Sequence, residues 1–213
     1  MSKEINIFIG GSATKNVSYN YLNAAEVLAR KIDQRDYKIV FDGCSGLPSI
    51  VFETLTGFSR AIICYTEHYQ SNYVKESFYS KNSRKIDRTI RLKKQSEMTD
   101  TVIDLADALI FMKGQMGTLE EIFRVINGKK NKEYDKPVVI LNINHEWDNL
   151  VNLLNSCNVN EFYYVADNVV DCLNYIETSL YVETSNFYKL YVENNYIKRL
   201  TPIIETDNIS KRL

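Results

Sequence analysis

The chain has 213 residues, of which 45% are hydrophobic and 25% charged, the balance of one globular domain or of one domain with an appendage. Its 26 Lys and Arg residues nearly cancel its 27 Asp and Glu residues, so binding to nucleic acid or to a membrane by bulk charge is not expected. No apolar run reaches the length of about 18 residues that spans a bilayer.

The cysteine and histidine content limits the chemistry further. The four cysteines are scattered without a CxxC pair, which is typical of free thiols in a reducing cytoplasm. The apolar start lacks a small-residue cleavage site and predicts a first strand rather than a signal peptide. Two histidines, His68 and His145, are too few for a histidine-rich metal centre. We therefore expect a cytoplasmic protein without a metal site.

The first third of the chain alternates between strand and helix patterns. Short apolar runs suit strands that are buried on both faces, and apolar residues at helical spacing separate them. The predicted strands are 4–9, 37–41 and 60–65, and the predicted helices are 19–32 and 49–58.

The rest of the core continues this alternation after a less regular stretch. Residues 66–88 are polar with interspersed aromatic residues, which predicts a loop or an irregular helix. Beyond them the predicted strands are 89–92, 108–112, 137–141 and 162–165, and the predicted helices are 96–106, 118–126, 147–154 and 169–180.

Alternating strands and helices predict βαβ units around a parallel sheet, with a core domain over 1–180 and a C-terminal extension, helical or loose, over 181–213. Parallel sheets bind ligands beyond the carboxyl ends of their strands. The loops at those ends, 10–12, 42–46 and 113–118, are therefore the expected ligand-binding segments.

The segment Lys113-Gly114-Gln115-Met116-Gly117-Thr118-Leu119-Glu120-Glu121 carries the strongest functional signal. A buried strand runs through glycines directly into a helix, whose unpaired N–H groups and dipole favour an anion. Thr118 either caps the helix or donates its hydroxyl to that anion. The alternative is a capping box in which Thr118 is the N-cap and Glu121 follows three residues later. The pattern alone leaves both interpretations open.

Other candidate ligand-binding residues, inside and outside these loops, have less specific patterns. Ser12 and Ser45 are candidate hydrogen-bond donors to a ligand. Cys44 has no neighbouring histidine that would activate its thiol. His68 and His145 either contact a ligand or face solvent.

Several segments resemble the LOG-type phosphoribohydrolases, also described as possible lysine decarboxylases. The segment KGQMGTLEE, residues 113–121, resembles the family signature PGGxGTxxE. The resemblance runs in order from about Ile5 to Leu180, which is more specific than any single glycine loop. The other matching segments are Gly11-Ser12, residues 43–47, 105–110 and 136–142, and Trp147-Asp148.

The resemblance implies a Rossmann-like three-layer sandwich with a mostly parallel central sheet, assembled as a homodimer or higher homo-oligomer. It also implies hydrolysis of the N-glycosidic bond of a nucleoside 5'-monophosphate, without a metal or an organic cofactor. The catalytic residue of the family signature corresponds to Glu121, with Glu120 beside it. The positions implied to bind the small-molecule nucleotide are Gly11, Ser12, Gly43, Ser45, Lys113, Gly114, Gln115, Met116, Gly117 and Thr118.

The chain departs from the family pattern at several positions. Lys113 replaces a proline, Gln115 replaces a glycine, and Asp42 stands where the second loop has a glycine. A carboxylate repels a phosphate, so the loop at Asp42 is expected to contact a sugar hydroxyl instead. Met98 stands where the family has an arginine in an upstream helix.

These departures leave two functions open. The chain is a hydrolase or glycosyl transferase acting on a nucleotide or a related phosphoribosyl compound, or it binds or senses a nucleotide without turnover. Lysine decarboxylation would need a pyridoxal cofactor on a Schiff-base lysine, and nothing in the sequence marks such a lysine.

Overall fold

Parallel strands form the central sheet of the computed structural model, which describes residues 4–66 and 82–181. Within these residues seven strands pair in the order β4-β3-β2-β1-β5-β6-β7. In chain order they are β1 (Asn6–Gly10), β2 (Lys38–Phe41), β3 (Ala61–Thr66), β4 (Ile86–Leu92), β5 (Ala108–Phe111), β6 (Val138–Leu141) and β7 (Tyr164–Ala166).

Helices connect these strands and cover the sheet. They are α1 (Tyr19–Gln34), α2 (Leu47–Thr54), α3 (Gln95–Leu105), α4 (Met116–Lys130), α5 (Asp148–Ser156) and α6 (169–181). Short 3-10 turns span Ser83–Lys85, Ile143–His145 and Asn160–Phe162. None of the helices in the described ranges combines the length and apolar character needed to span a bilayer.

The alternation of side chains along each strand divides the core between the two faces of the sheet. On one face Phe8, Leu109 and other strand residues form a cluster with apolar residues of α3, α4 and α5. On the opposite face the Phe41 ring lies 5.3 Å from the ring of Phe52 in α2. This is the expected Rossmann-like α/β sandwich, and the prediction of its fold class is confirmed.

The strand order places a topological switch point between β1 and β5. From β1 the chain adds β2, β3 and β4 on one side and then crosses to add β5, β6 and β7 on the other. The connections therefore diverge at the carboxyl ends of β1 and β5, which leaves a crevice there. This crevice lies between the glycine loop after β1 and the start of α4.

Three predicted elements differ from the structure by three residues or more at one end. The predicted short strand 89–92 is the end of the seven-residue β4. The first half of β4 carries exposed polar residues and therefore lacks the apolar pattern that predicts a strand. The predicted helix 49–58 is α2, which begins at Leu47 and ends at Thr54. The predicted helix 118–126 is α4, which begins two residues earlier and continues to Lys130. Most of the irregular segment predicted over 66–88 lies outside the described residues.

The chain divides into two compact units, Met1–Ile176 and Glu177–Leu213. The first unit contains the whole sheet. In the second unit only residues 177–181 are described, and they are helical. The predicted division after residue 180 stays a prediction.

Gly46 adopts a backbone conformation that only glycine accommodates at this position. Its φ is +83°, and an added Cβ would overlap the carbonyl oxygen of Ser12. We expect Gly46→Ala to lower the free energy of unfolding by about 1–3 kcal/mol or more, measured by denaturant titration. Gly11→Ala is the control, because its Cβ would lie 3.3 Å from the Met112 side chain without a positive φ. Equal stability of both variants would contradict this prediction.

Candidate functional site

A cleft of about 210 Å³ opens at the carboxyl ends of β1, β2 and β5. It lies at the switch point of the sheet, where doubly wound folds bind their ligands. Its walls combine backbone from the glycine loops with a small number of polar side chains. The residues that line it are Phe8, Ile9, Gly10, Gly11, Ala13, Asp42, Pro48, Gln95, Gln115, Met116, Gly117, Thr118 and Glu121.

Backbone hydrogen bonds hold the loop after β1 against both neighbouring loops. The Ser12 amide donates to the Lys113 carbonyl at 3.1 Å, and the Leu47 amide donates to the Ser12 carbonyl at 2.9 Å. Gly10 packs so closely that an added Cβ would lie 2.7 Å from the Phe111 ring. The loops after β1, β2 and β5 are therefore fixed relative to one another around the cleft.

The start of α4 presents free backbone donors to this cleft. The N-cap residue is Gln115, and no side chain caps the helix. The first amide bonded within the helix is that of Leu119, which donates to the Gln115 carbonyl, so the amides of Met116, Gly117 and Thr118 have no acceptor within the helix. An anion in the cleft would meet these N–H groups and the positive end of the helix dipole.

The capping box considered from the sequence does not form. Because α4 begins at Met116, Thr118 is its third residue rather than its N-cap, and Glu121 is its sixth. The Thr118 side chain packs against Gly114, where an added Cβ would overlap it. This contact explains why a glycine precedes the helix.

Glu121 is a buried acid without a partner. It lies one turn into α4, at the i+4 position from Gly117, and it lines the cleft with an exposed fraction of only 8%. It makes no hydrogen bond or ion pair within the described residues. Burial raises the pKa of its carboxyl well above the ordinary value, and the negative charges of Asp42 and Glu120 raise this pKa further.

The second acid of the cleft is Asp42, the first residue after β2. Its Oδ1 accepts a hydrogen bond of 3.0 Å from the Cys44 amide. Burial raises the pKa of the Asp42 carboxyl, while hydrogen bonds from the Cys44 thiol and amide lower it. The pKa of the Cys44 thiol is raised well above its usual value by burial and by Asp42, which opposes a role for Cys44 as a nucleophile.

Several of the residues suggested by the sequence do not line the cleft. The Ser12 hydroxyl bonds to the Thr14 carbonyl at 3.0 Å, and Lys113 Nζ lies 3.2 Å from Glu146 Oε2. Glu120 is exposed on α4, outside the lining. Met98 is 1% exposed and belongs to the apolar cluster under α3. Gly43, Ser45 and Gly114 are also outside the lining, whereas Gly11, Gln115, Met116, Gly117 and Thr118 belong to it.

Gln95 is a lining residue that the sequence analysis missed. It is the first residue of α3, and its Oε1 is buried without a hydrogen-bond partner among the described residues. A buried acceptor without a partner is costly unless a ligand or water satisfies it. The available signal was its position one helical turn before Met98, the residue aligned with the family arginine.

Of the two histidines only His145 is described, and it does not line the cleft. His145 is exposed, and its Nδ1 lies 3.3 Å from Asp148 Oδ1. His68 lies outside the described residues. Over 4–66 and 82–181 the structure contains no cluster of three or more His, Cys, Asp or Glu side chains that could hold a metal ion.

Comparisons of the sequence with known proteins identify a family and two distant relatives. Residues 53–179 match the family described as "Possible lysine decarboxylase". A bifunctional cytokinin biosynthesis protein of Fusarium pseudograminearum is 28% identical over 68% of this chain, which spans only 32% of that protein. Cytokinin riboside 5'-monophosphate phosphoribohydrolase LOG1 of Arabidopsis thaliana is 27% identical over 71% of this chain and 68% of the relative.

Solved structures share the fold at lower identity. The molybdenum cofactor binding protein of Rippkaea orientalis superposes with a TM-score of 0.64 at 17% identity, covering 84% of this chain and 99% of that one. The molybdenum cofactor carrier protein of Chlamydomonas reinhardtii gives a TM-score of 0.62 at 16% identity, with the same coverage of both chains. At these identities the likeness concerns the fold alone.

The raised pKa of Glu121 predicts a pH-dependent cost to stability. The folded protein keeps a proton on Glu121 that the unfolded chain releases near pH ~4.3, so this residue lowers the stability as the pH rises above that value. We expect Glu121→Gln to raise the melting temperature at about pH 7. The rise should be about 2–4 °C for each kcal/mol by which the substitution increases the free energy of unfolding. The gain should shrink as the pH falls towards ~4.3.

The exposed neighbour provides the matched control for this measurement. Glu120→Gln removes the same charge from the same helix, and we expect a change within about 0.5 kcal/mol. A Glu121→Gln protein that is less stable than wild type at neutral pH would contradict the raised pKa.

Proposed function

We propose that this chain, which belongs to the family described as possible lysine decarboxylase, hydrolyses the N-glycosidic bond of a nucleoside 5'-monophosphate or a related phosphoribosyl compound. The observation that carries the proposal is that Glu121, which is buried and has no partner among the described residues, lies in the same cleft as the uncapped start of α4. A carboxyl and an anion-binding helix end, one helical turn apart, suit a substrate with a phosphate at one end of a ribose.

The phosphate accounts for the start of α4. Its oxygens accept hydrogen bonds from the amides of Met116, Gly117 and Thr118, and its charge interacts favourably with the helix dipole. The glycine at 117, which lines the cleft, leaves the main chain accessible to the ligand. No cationic side chain is needed for this contact, and none lines the cleft among the described residues.

The ribose then lies beside Glu121. A helical turn rises about 5 Å, so the carboxyl stands roughly one sugar ring away from the phosphate site. Cleavage of a glycosidic bond passes through a transition state with positive charge on the sugar, and carboxyl groups promote it by proton transfer and by charge stabilisation. The proposed reaction needs a water molecule, and the cleft opens to solvent.

The size of the cleft fits the same assignment. Its volume of about 210 Å³ is below the ~300–1,000 Å³ that is typical of pockets enclosing a whole drug-sized ligand. It therefore suits the ribose phosphate, with the base extending towards the open side. The name of the Arabidopsis relative, a phosphoribohydrolase of a riboside 5'-monophosphate, supports this substrate class.

A second candidate function is nucleotide binding without turnover. The specific observation in its favour is Met98, which occupies the position of the family arginine and is buried in the apolar core. In this case the ligand would raise the melting temperature without being consumed. The molybdenum cofactor belongs in the same binding panel, because the names of two solved structures with this fold mention it.

The proposal also covers assembly and location. We propose a homodimer or higher homo-oligomer in the cytoplasm, with a small-molecule nucleotide as the substrate. Light scattering at several protein concentrations measures the assembly.

Turnover of a nucleotide panel tests the proposed reaction. Wild-type protein incubated with nucleoside 5'-monophosphates should release free base, measured by chromatography. Glu121→Gln should lower kcat by about 100-fold or more, because it removes an acid–base group while leaving the phosphate site intact. Its affinity for ribose 5-phosphate, measured by thermal shift, should change little.

Glu26→Gln is the matched control for this experiment. Glu26 is an exposed residue of α1 whose carboxylate pairs with Arg30 on the surface, so its loss should leave kcat unchanged. Base release by Glu121→Gln at the wild-type rate contradicts the proposed mechanism. Ligand binding by wild type with no base released from any nucleotide supports the second candidate instead.

A further inference from the structure

Two acids face the same cleft from opposite sides of β1. Asp42 follows β2, Glu121 lies on the helix that follows β5, and β1 pairs with both strands. Glu121 is buried, and Asp42 is partly buried with its carboxyl deep enough for burial to raise its pKa. The site therefore holds two carboxyl groups where the family resemblance accounts only for one.

Among the residues that the structure describes, no positive charge neutralises this pair. The lining residues contributed by β1, α2, α3 and α4 include no Lys, Arg or His among the described residues. The other titratable groups close enough to interact electrostatically are Cys44, Cys64 and Glu120, and none of them is cationic. Two negative charges in one partly buried cleft are unfavourable, so one proton is retained between them.

The hydrogen bonds around the acids decide where that proton lies. Asp42 accepts bonds from the Cys44 amide and thiol, and donors of this kind favour the ionised carboxylate. Glu121 receives no such donor from the described residues, and its pKa is raised well above the ordinary value, mainly by burial. Burial raises the pKa of both carboxyls, and the hydrogen bonds to Asp42 favour the proton on Glu121 and the negative charge on Asp42.

We infer that Asp42 and Glu121 form an acid–base pair, in which Glu121 protonates the departing base and Asp42 takes a proton from the attacking water. The inference rests on the proposed function and adds Asp42 as a catalytic residue. The family pattern has glycine at this position, so the second acid is a feature of this chain.

The reaction balances in atoms, charge and protons. The C1'–N bond breaks with its electron pair on the base nitrogen, which receives the proton of Glu121. The water oxygen bonds to C1', and Asp42 accepts the proton that this water loses. Transfer of that proton from Asp42 to Glu121 restores the pair. Substrate and water are converted into free base and ribose 5-phosphate, and no other reactant is consumed.

The pH profile of kcat distinguishes the two acids. Asp42 must be ionised and Glu121 protonated, so wild type should give a bell-shaped profile on the nucleotide that it cleaves fastest. Asp42→Asn should lower kcat by about 100-fold or more and abolish the fall in rate at low pH. Glu121→Gln should abolish the fall at high pH. The double variant should lose little more than either single variant, because the pair acts as a unit.

The control is Asp135→Asn, which removes a highly exposed carboxylate paired with Lys129 and should keep the wild-type rate and profile. An Asp42→Asn protein that keeps its rate and its low-pH limb overturns the inference while the proposed function stands. Absence of base release by wild type from every nucleotide overturns both.

A second measurement does not depend on the behaviour of any variant. Carbon-13 labelling of the Asp and Glu carboxyl groups in wild-type protein allows their protonation to be followed by NMR. We expect one carboxyl of the pair to remain protonated at neutral pH, and the addition of ribose 5-phosphate to shift its signal. Titration of every carboxyl group near its ordinary pKa would overturn the inference.

Discussion

The arrangement of the site depends on how the backbone of Ser12 is held. Its amide bonds to the loop after β5, and its carbonyl accepts a bond from the first residue of α2. These two bonds fix three loops that belong to non-consecutive parts of the chain. Gly46 must be a glycine because its Cβ would occupy the position of the Ser12 carbonyl. The start of α4 and the loop of Asp42 are placed on opposite sides of one cleft as a result.

Burial of the Asp42 and Glu121 carboxyl groups makes their ionisation unfavourable, and this limits the chemistry available in the cleft. Its lining backbone offers uncapped amide donors at one end, and its side chains offer two acids without a cationic partner among the described residues. The amides suit a phosphate, whereas the acids suit a neutral sugar and a bond that breaks with proton transfer. Burial raises the pKa of the Glu121 carboxyl, which is unfavourable for stability at neutral pH, and general acid catalysis near neutral pH requires a shift in this direction.

The parts of the site that are contiguous in sequence could be predicted from it. Gly117, Thr118 and Glu121 belong to one motif, and helical periodicity alone puts them on one face. Gln95 has only a weak signal in the sequence, because its position one helical turn before Met98 does not give the direction of its side chain. The first turn of α3 reaches the cleft, and one turn later the helix is covered by the apolar cluster. Lys113 was expected near a phosphate, yet its ammonium pairs with Glu146 from a distant loop.

The sequence by itself determined the α/β alternation, the buried strands and the glycine-rich start of the helix after β5, because each follows from local periodicity and glycine positions. Only the tertiary structure decided that Asp42 and Glu121 share one cleft and that Met98 belongs to the core. It also decided that Ser12 and Cys44 form hydrogen bonds within their own loops. These outcomes depend on which strands become neighbours and on which side chains lose contact with water. Both are properties of the assembled sheet and its packed helices, and no single segment of the chain contains them.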